Sequence, residues 1–198
     1  MTTTHEGTTA DPTGRTTYVL VDGENIDATL GGSILNARPA PEERPRWERV
    51  LSFAREQWGG AEVKGLFFLN ASHGTMPMSF VQALTAIGFR PIPLAGSSHE
   101  KVVDIGIQRT IEALLDRPGD VLLASHDGDF APYVAQLLGP DRRVGLLGFE
   151  ELISGSLQQL VDGGLEIFDL EHHVHAFNVE LPRLRIIPLE EFDPLRYL

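Results

Sequence analysis

The stretch DVLLASHDGDF at 120–130 decides how this chain is read. Val121-Leu122-Leu123-Ala124 is an unbroken apolar run bounded by turn residues, the mark of a strand buried on both faces. Ser125, Asp127 and Asp129 follow it directly. A second stretch, YVLVDGEN at 18–25, has the same form, with Tyr18–Val21 as the strand and Asp22 and Asn25 at its end. In an open α/β sheet the ligand crevice lies beyond the carboxyl ends of such strands. Two buried strands that release acids at one edge imply a shared acidic pocket. A third stretch, EKVVDIG at 100–106, adds Asp104 in the first turn of a helix. Clustered carboxylates repel one another unless a cation neutralises them, and hard oxygen donors suit Mg²⁺.

Working outward, strands are expected at about 17–21, 63–69, 90–94, 121–124, 143–147 and 165–170. Helices are expected at 47–58, where Trp47, Val50, Leu51, Ala54 and Trp58 recur at helical spacing, and at 78–87, 100–115, 129–138 and 154–161. Gly59-Gly60, Gly88 and Pro118-Gly119 punctuate them. Residues 22–46 read as a long Gly- and Pro-rich segment with a short helical piece near Asn25–Leu30. Strands alternating with helices give a parallel sheet with right-handed crossovers. Three regions are expected: a disordered leader over 1–16, an α/β domain over 17–170, and a tail over 171–198. The tail carries Phe177, Leu181, Phe192, Leu195, Tyr197 and Leu198, too apolar to hang free. It packs on its own domain or on a second subunit, and the second case makes a homodimer.

The absence of cysteine excludes disulfides and thiolate metal sites and fits a cytoplasmic protein. No run approaches a membrane span, and residues 1–16 lack the basic start and apolar stretch of a secretion signal. The net charge of −12 opposes general affinity for nucleic acid. Arg38, Arg44, Arg46 and Arg49, however, concentrate after the first acidic strand and could form a local basic rim. GxGxxG, GxxxxGK[ST] and GxSxG are all missing, which leaves dinucleotide, nucleoside triphosphate and serine-hydrolase chemistry without support.

The blocks VDGEN (Asp22, Asn25), KVVD (Lys101, Asp104) and SHDGDF (Ser125, Asp127, Asp129, Phe130), in this order and setting, resemble the NYN domain family, a branch of the PIN-like nucleases. The resemblance covers about 17–170. It implies a Rossmann-like sheet of order 3-2-1-4-5, a divalent metal, Mg²⁺ or Mn²⁺, on these carboxylates, and RNA as substrate. Thr110 stands where many such relatives carry a further acid, which leaves room for a catalytically weak RNA-binding or regulatory module.

Each residue has an ordinary reading beside the functional one. Asp22, Asp104 and Asp127 are read as metal ligands, although Asp22 could cap a turn and Asp104 suits a helix start in any case. Asp129 is read as a catalytic carboxylate, either a ligand or a group just behind the ligands, although it could simply be a helix N-cap. Gly128 between the acids is expected to permit a sharp bend. Asn25, Lys101, Ser125, Arg38 and Arg46 are read as substrate-binding, with Asn25 holding a phosphate or orienting Asp22 through its amide. His126 reads as a solvated loop histidine. His172, His173 and His175 read as ordinary rather than as a zinc site, because adjacent residues of an extended segment face opposite ways. Removing one acid, as in Asp127→Asn, is expected to stabilise the metal-free protein by relieving repulsion.

Overall fold

β1 (Thr16–Asp22) lies at the centre of the sheet, paired in parallel with β2 (Glu62–Asn70) on one side and β4 (Asp120–Ala124) on the other. The computed structural model describes residues 15–58, 62–72, 74, 76–97, 99–183 and 189–196. β3 (Phe89–Leu94) pairs with β2, β5 (Val144–Gly148) with β4, and β6 (Leu165–Asp169) with β5, all in parallel. The order is β3-β2-β1-β4-β5-β6, so the expected 3-2-1-4-5 sheet is present with the sixth strand added at its edge. The leader expected over 1–16 falls almost wholly outside the described residues, as do 184–188 and 197–198 of the tail.

Side chains of a strand alternate between faces, and each central strand therefore feeds two cores. Val19 and Val21 of β1, with Leu122 and Ala124 of β4, join one cluster, which α2 (Trp47–Trp58) covers with Val50, Leu51 and Ala54. Phe67 of β2 is its aromatic hub, with the rings of Trp47, Phe80 and Phe89 edge-on at 5.0, 5.5 and 5.8 Å. Leu20, Val121 and Leu123 point the other way, onto α4 (Val102–Leu115) and α5 (Ala131–Leu137). Ile107, Ile111 and Leu114, at helical spacing, supply the buried stripe of α4. At Gly106 a Cβ would fall 2.2 Å from Leu94 Cδ1, so glycine lets α4 lie close against β3. α3 (Met78–Ala86) ends at Gly88, whose φ of +98° turns the chain into β3.

One local expectation changes. The segment after β1 is mostly helix: α1 (Gly23–Thr29) runs on into a wider π-type turn over Leu30–Leu35 that ends at left-handed Asn36. Gly31 and Gly32 hide this helix from a pattern reading because glycine is a poor helix former. Beyond β6 the chain folds back, with the Leu170 N–H donating to Gly148 O and the Ala176 N–H to Leu170 O. Phe177 and Leu181 bury against this same chain's core, whereas Leu189 and Leu195 are largely exposed. Nothing among the described residues supports the homodimer through the tail.

Candidate functional site

Parallel pairing brings the carboxyl ends of β1 and β4 side by side. Val21 is in register with Ala124, so Asp22 lies next to Ser125. The sheet order reverses direction at this point, between β1 and β4, and the crevice of a doubly wound sheet opens there.

Asp22 forms the floor, 2% exposed. Its Oδ1 accepts the Asn25 N–H at 3.1 Å, which caps α1, and its Oδ2 accepts the Ser125 hydroxyl at 3.1 Å. Burial pushes the carboxyl up to about 6, against the pull of these two hydrogen bonds and with a further push from the Asp104 charge. Ser125 Oγ in turn accepts the Asp127 N–H at 3.2 Å.

The outer layer consists of Asp104, Asp127 and Asp129, whose carboxylate oxygens lie within 4.8 Å of one another. Asp22, expected among the shared ligands, is not in this tightest set but lies deeper, near enough for the Asp104 charge to push its carboxyl up. Asp129, read as a ligand or as a group just behind one, is in the set. The reason is local. Asp127, rather than Asp129, caps the short turn Gly128–Phe130, its Oδ1 accepting the Asp129 N–H at 2.9 Å. The Asp129 side chain is thereby left to face the cluster. Gly128 serves closeness rather than bending: its φ is ordinary, and a Cβ would fall 2.7 Å from Ser156 Oγ and 3.0 Å from Ser154 Oγ.

The Lys101 ammonium sits among these acids, 3.3 Å from Asp104, 3.2 Å from Asp129 and 4.0 Å from Asp127. Its own pKa rises, through hydrogen bonds to Asp129 and Asp104 first. The donor set is all hard carboxylate oxygen, and a positive charge already occupies its midst. Both features fit a divalent cation such as Mg²⁺ or Mn²⁺. Thr110 donates its hydroxyl to Gly106 O at 2.7 Å within α4 and adds no ligand.

His126 is buried, contrary to the solvated reading. Its backbone N–H and its ring Nδ1 lie 2.8 and 3.1 Å from Asn25 Oδ1. Its Nε2 accepts the Phe149 N–H at 2.7 Å, and its ring stacks on Phe149 at 5.4 Å. Burial holds the imidazole down at about 4. Behind Phe149 sits the Arg183 guanidinium, 5.2 Å from the ring, which hydrogen-bonds Asp169 and Glu171 and pairs tightly with Glu151. Burial alone would raise Asp169. The Arg183 hydrogen bonds, with the N–H groups of His172 and Glu150, bring it down to about 2.

The arginine rim is mostly committed elsewhere. Arg49 binds the carbonyls of His175 and Phe177, and Arg44 pairs with Asp27 at 3.5 Å. Arg46 lines a cavity of about 440 Å³ bordered by Trp47, Phe67 and Phe80, and its Nε is buried there without a partner. Arg38 is exposed, and neither it nor Arg46 forms an ion pair with the cluster among the described residues. His173 Nδ1 accepts the Asp169 N–H, a structural role, and the only metal-sized group among the described residues is the acidic one.

A family model for the NYN domain matches residues 16–167. The chain belongs to the NYN domain family, within the PIN-like nuclease superfamily, whose members generally use divalent metals. The fold is similar to the crystal structure of a protein of unknown function from Vibrio parahaemolyticus, with a TM-score of 0.62 and 18% identity over 80% of this chain and 94% of that one. No curated protein matches the chain. No helix among the described residues is long and apolar enough to cross a membrane.

Proposed function

We propose that the protein is a divalent-metal-dependent ribonuclease that hydrolyses phosphodiester bonds at the β1–β4 crevice. The observation that carries this reading is the three-carboxylate group around the Lys101 ammonium, beside the carboxyl ends of β1 and β4, in a chain of the NYN domain family. Asp104, Asp127 and Asp129 would hold Mg²⁺ or Mn²⁺, with Asp22 beneath them. When bound, the ion supplies electrostatic stabilisation of the charge that builds on the phosphate and the leaving oxygen.

The other roles belong to side chains. Asn25 presents its amide donors to a phosphate oxygen. Lys101, 66% exposed on a flexible stem, moves from the acids to the phosphate. Asp129, the most exposed of the three acids, accepts the proton of the attacking water. Ser125 keeps Asp22 and the Asp127 backbone in register. Arg38 and Arg46 would meet only flanking phosphates. A cysteine-free chain of this kind is suited to the cytoplasm.

The alternative of a binding module draws on Thr110, which adds no acid, and on Lys101, whose single ammonium offsets part of the cluster's charge. Incubating a mixed RNA pool with Mn²⁺ or Mg²⁺ separates the two readings. The nuclease cuts the pool, and either EDTA or Asp127→Asn abolishes cutting. A wild type that neither cuts nor gains thermal stability from Mn²⁺ is the binding module.

A further inference from the structure

We infer that His126 is a positioning residue that locks the Asn25 side-chain amide with its oxygen inward and its NH₂ toward the substrate. This deepens the ribonuclease reading and rests on it for its catalytic consequence. An asparagine amide can sit either way round, and its orientation follows from its partners. Here one partner is unambiguous. The His126 backbone N–H can only donate, so the Asn25 atom 2.8 Å away is the acceptor Oδ1. His126 Nδ1, 3.1 Å from the same oxygen, must then carry a proton.

The other ring nitrogen is equally constrained. Phe149 N–H can only donate, so His126 Nε2, 2.7 Å from it, carries the lone pair. The imidazole is therefore the neutral Nδ1–H tautomer, held in plane by Phe149 stacked at 8°. Gly148 leaves room for it: a Cβ there would lie 2.9 Å from Nε2. Two donors from one residue occupy both lone pairs of Asn25 Oδ1. The face of Asn25 turned from His126 is then a pure donor in a pocket otherwise lined with acid. An anionic phosphate oxygen needs that polarity. A flipped amide would set an oxygen against it.

Two substitutions separate the links. In His126→Asn the side-chain NH₂ stands as many bonds from the backbone as Nδ1, so the donor to Asn25 survives and the acceptor for Phe149 is lost. In His126→Gln the side-chain oxygen reaches the Nε2 position, so the Phe149 link survives and the donor to Asn25 is lost. The Asn25 side-chain amide signal, assigned by its disappearance in Asn25→Asp, should be dispersed in wild type and in His126→Asn. It should move part of the way toward the solvated position in His126→Gln, where the backbone N–H of residue 126 is the one donor left of the two. Cleavage of RNA with Mn²⁺ should fall in His126→Gln by about 10-fold in kcat/KM, the upper end of the loss expected for one hydrogen bond between neutral groups. In His126→Asn it should stay within about threefold of wild type.

The positioning role is overturned if His126→Gln leaves the Asn25 signal and the rate unchanged, or if His126→Asn is as impaired as His126→Gln. The ring nitrogens of wild type give a reading that needs no variant: Nδ1 protonated and Nε2 bare at neutral pH supports the role, and the opposite tautomer overturns it. If wild type cuts no RNA, the nuclease reading fails while the amide and tautomer signals still decide the positioning.

Discussion

Asp22→Asn should stabilise the metal-free protein at neutral pH. The side chain is nearly inaccessible, and its carboxyl is raised from 3.8 to about 6. Between those two values the native state binds more protons than the unfolded chain, so stability falls as pH rises through the interval and levels off above it. At 1.36 kcal/mol per pKa unit the ionised carboxylate costs roughly 3 kcal/mol at pH 8, and about 1 kcal/mol by pH 4.5. The substituted amide would keep an oxygen for the Asn25 N–H and could give its NH₂ to Ser125 Oγ, so most of the relief should survive. For a chain of this length that is up to about 6–12 °C in Tm. Thermal melts in EDTA at pH 8 and pH 4.5, wild type beside variant, measure it. A gain of equal size at both pH values would trace the effect to packing instead of charge, and a loss at pH 8 would refute the reasoning. The same logic moves the expected benefit of Asp127→Asn inward. Lys101 already compensates the outer acids, whereas among the described residues no cation pairs with Asp22.

Arg183→Ala should cost about 3–5 kcal/mol, because Asp169 is left buried without its cation; denaturant melts should show it, with Arg183→Lys recovering part. The Asp169 carboxyl, lowered to about 2, gives stability present above pH 3.8 and lost as pH falls toward 2, so the Arg183→Ala penalty should shrink in acid. Gly148→Ala should press on His126 Nε2 and lower stability by about 1–3 kcal/mol; an unchanged Tm together with an unchanged His126 ring spectrum would contradict this. Lys101→Met should tighten Mn²⁺ binding, read by calorimetry, while weakening RNA cleavage; weaker Mn²⁺ binding would show that the ammonium does not compete with the ion.

The strand ends were legible because a strand buried on both faces is written as an uninterrupted apolar run, and Asp22 and Asp127 stand where those runs stop. Asp104 was legible from its place at a helix start. The division of labour among the acids was not. Asp22 is held down by the Asn25 N–H and the Ser125 hydroxyl, and Asp129 is left free because Asp127 caps the Gly128–Phe130 turn, choices that spacing does not encode. His126 was illegible for a different reason. Its partners, Asn25 and Phe149, stand 101 and 23 residues away, and only the β1–β4–β5 pairing brings them together. The sole local hint was its place between a strand-end serine and an aspartate. Arg183 was hidden in the same way, as one basic residue in an apolar tail whose three acidic partners are scattered between 151 and 171.

The Arg183 clamp means that the inherited unit and the melting unit have different ends. The stretch matched to the family stops at residue 167, in the middle of β6. The cation that balances Asp169 arrives further along the chain, together with Phe177 and Leu181, which seal the same core. A chain cut at the family boundary would lose the last residues of a parallel strand, and one cut just after it would leave an acid stranded in the interior. Evolutionary transplants of this domain should therefore carry the segment through Arg183.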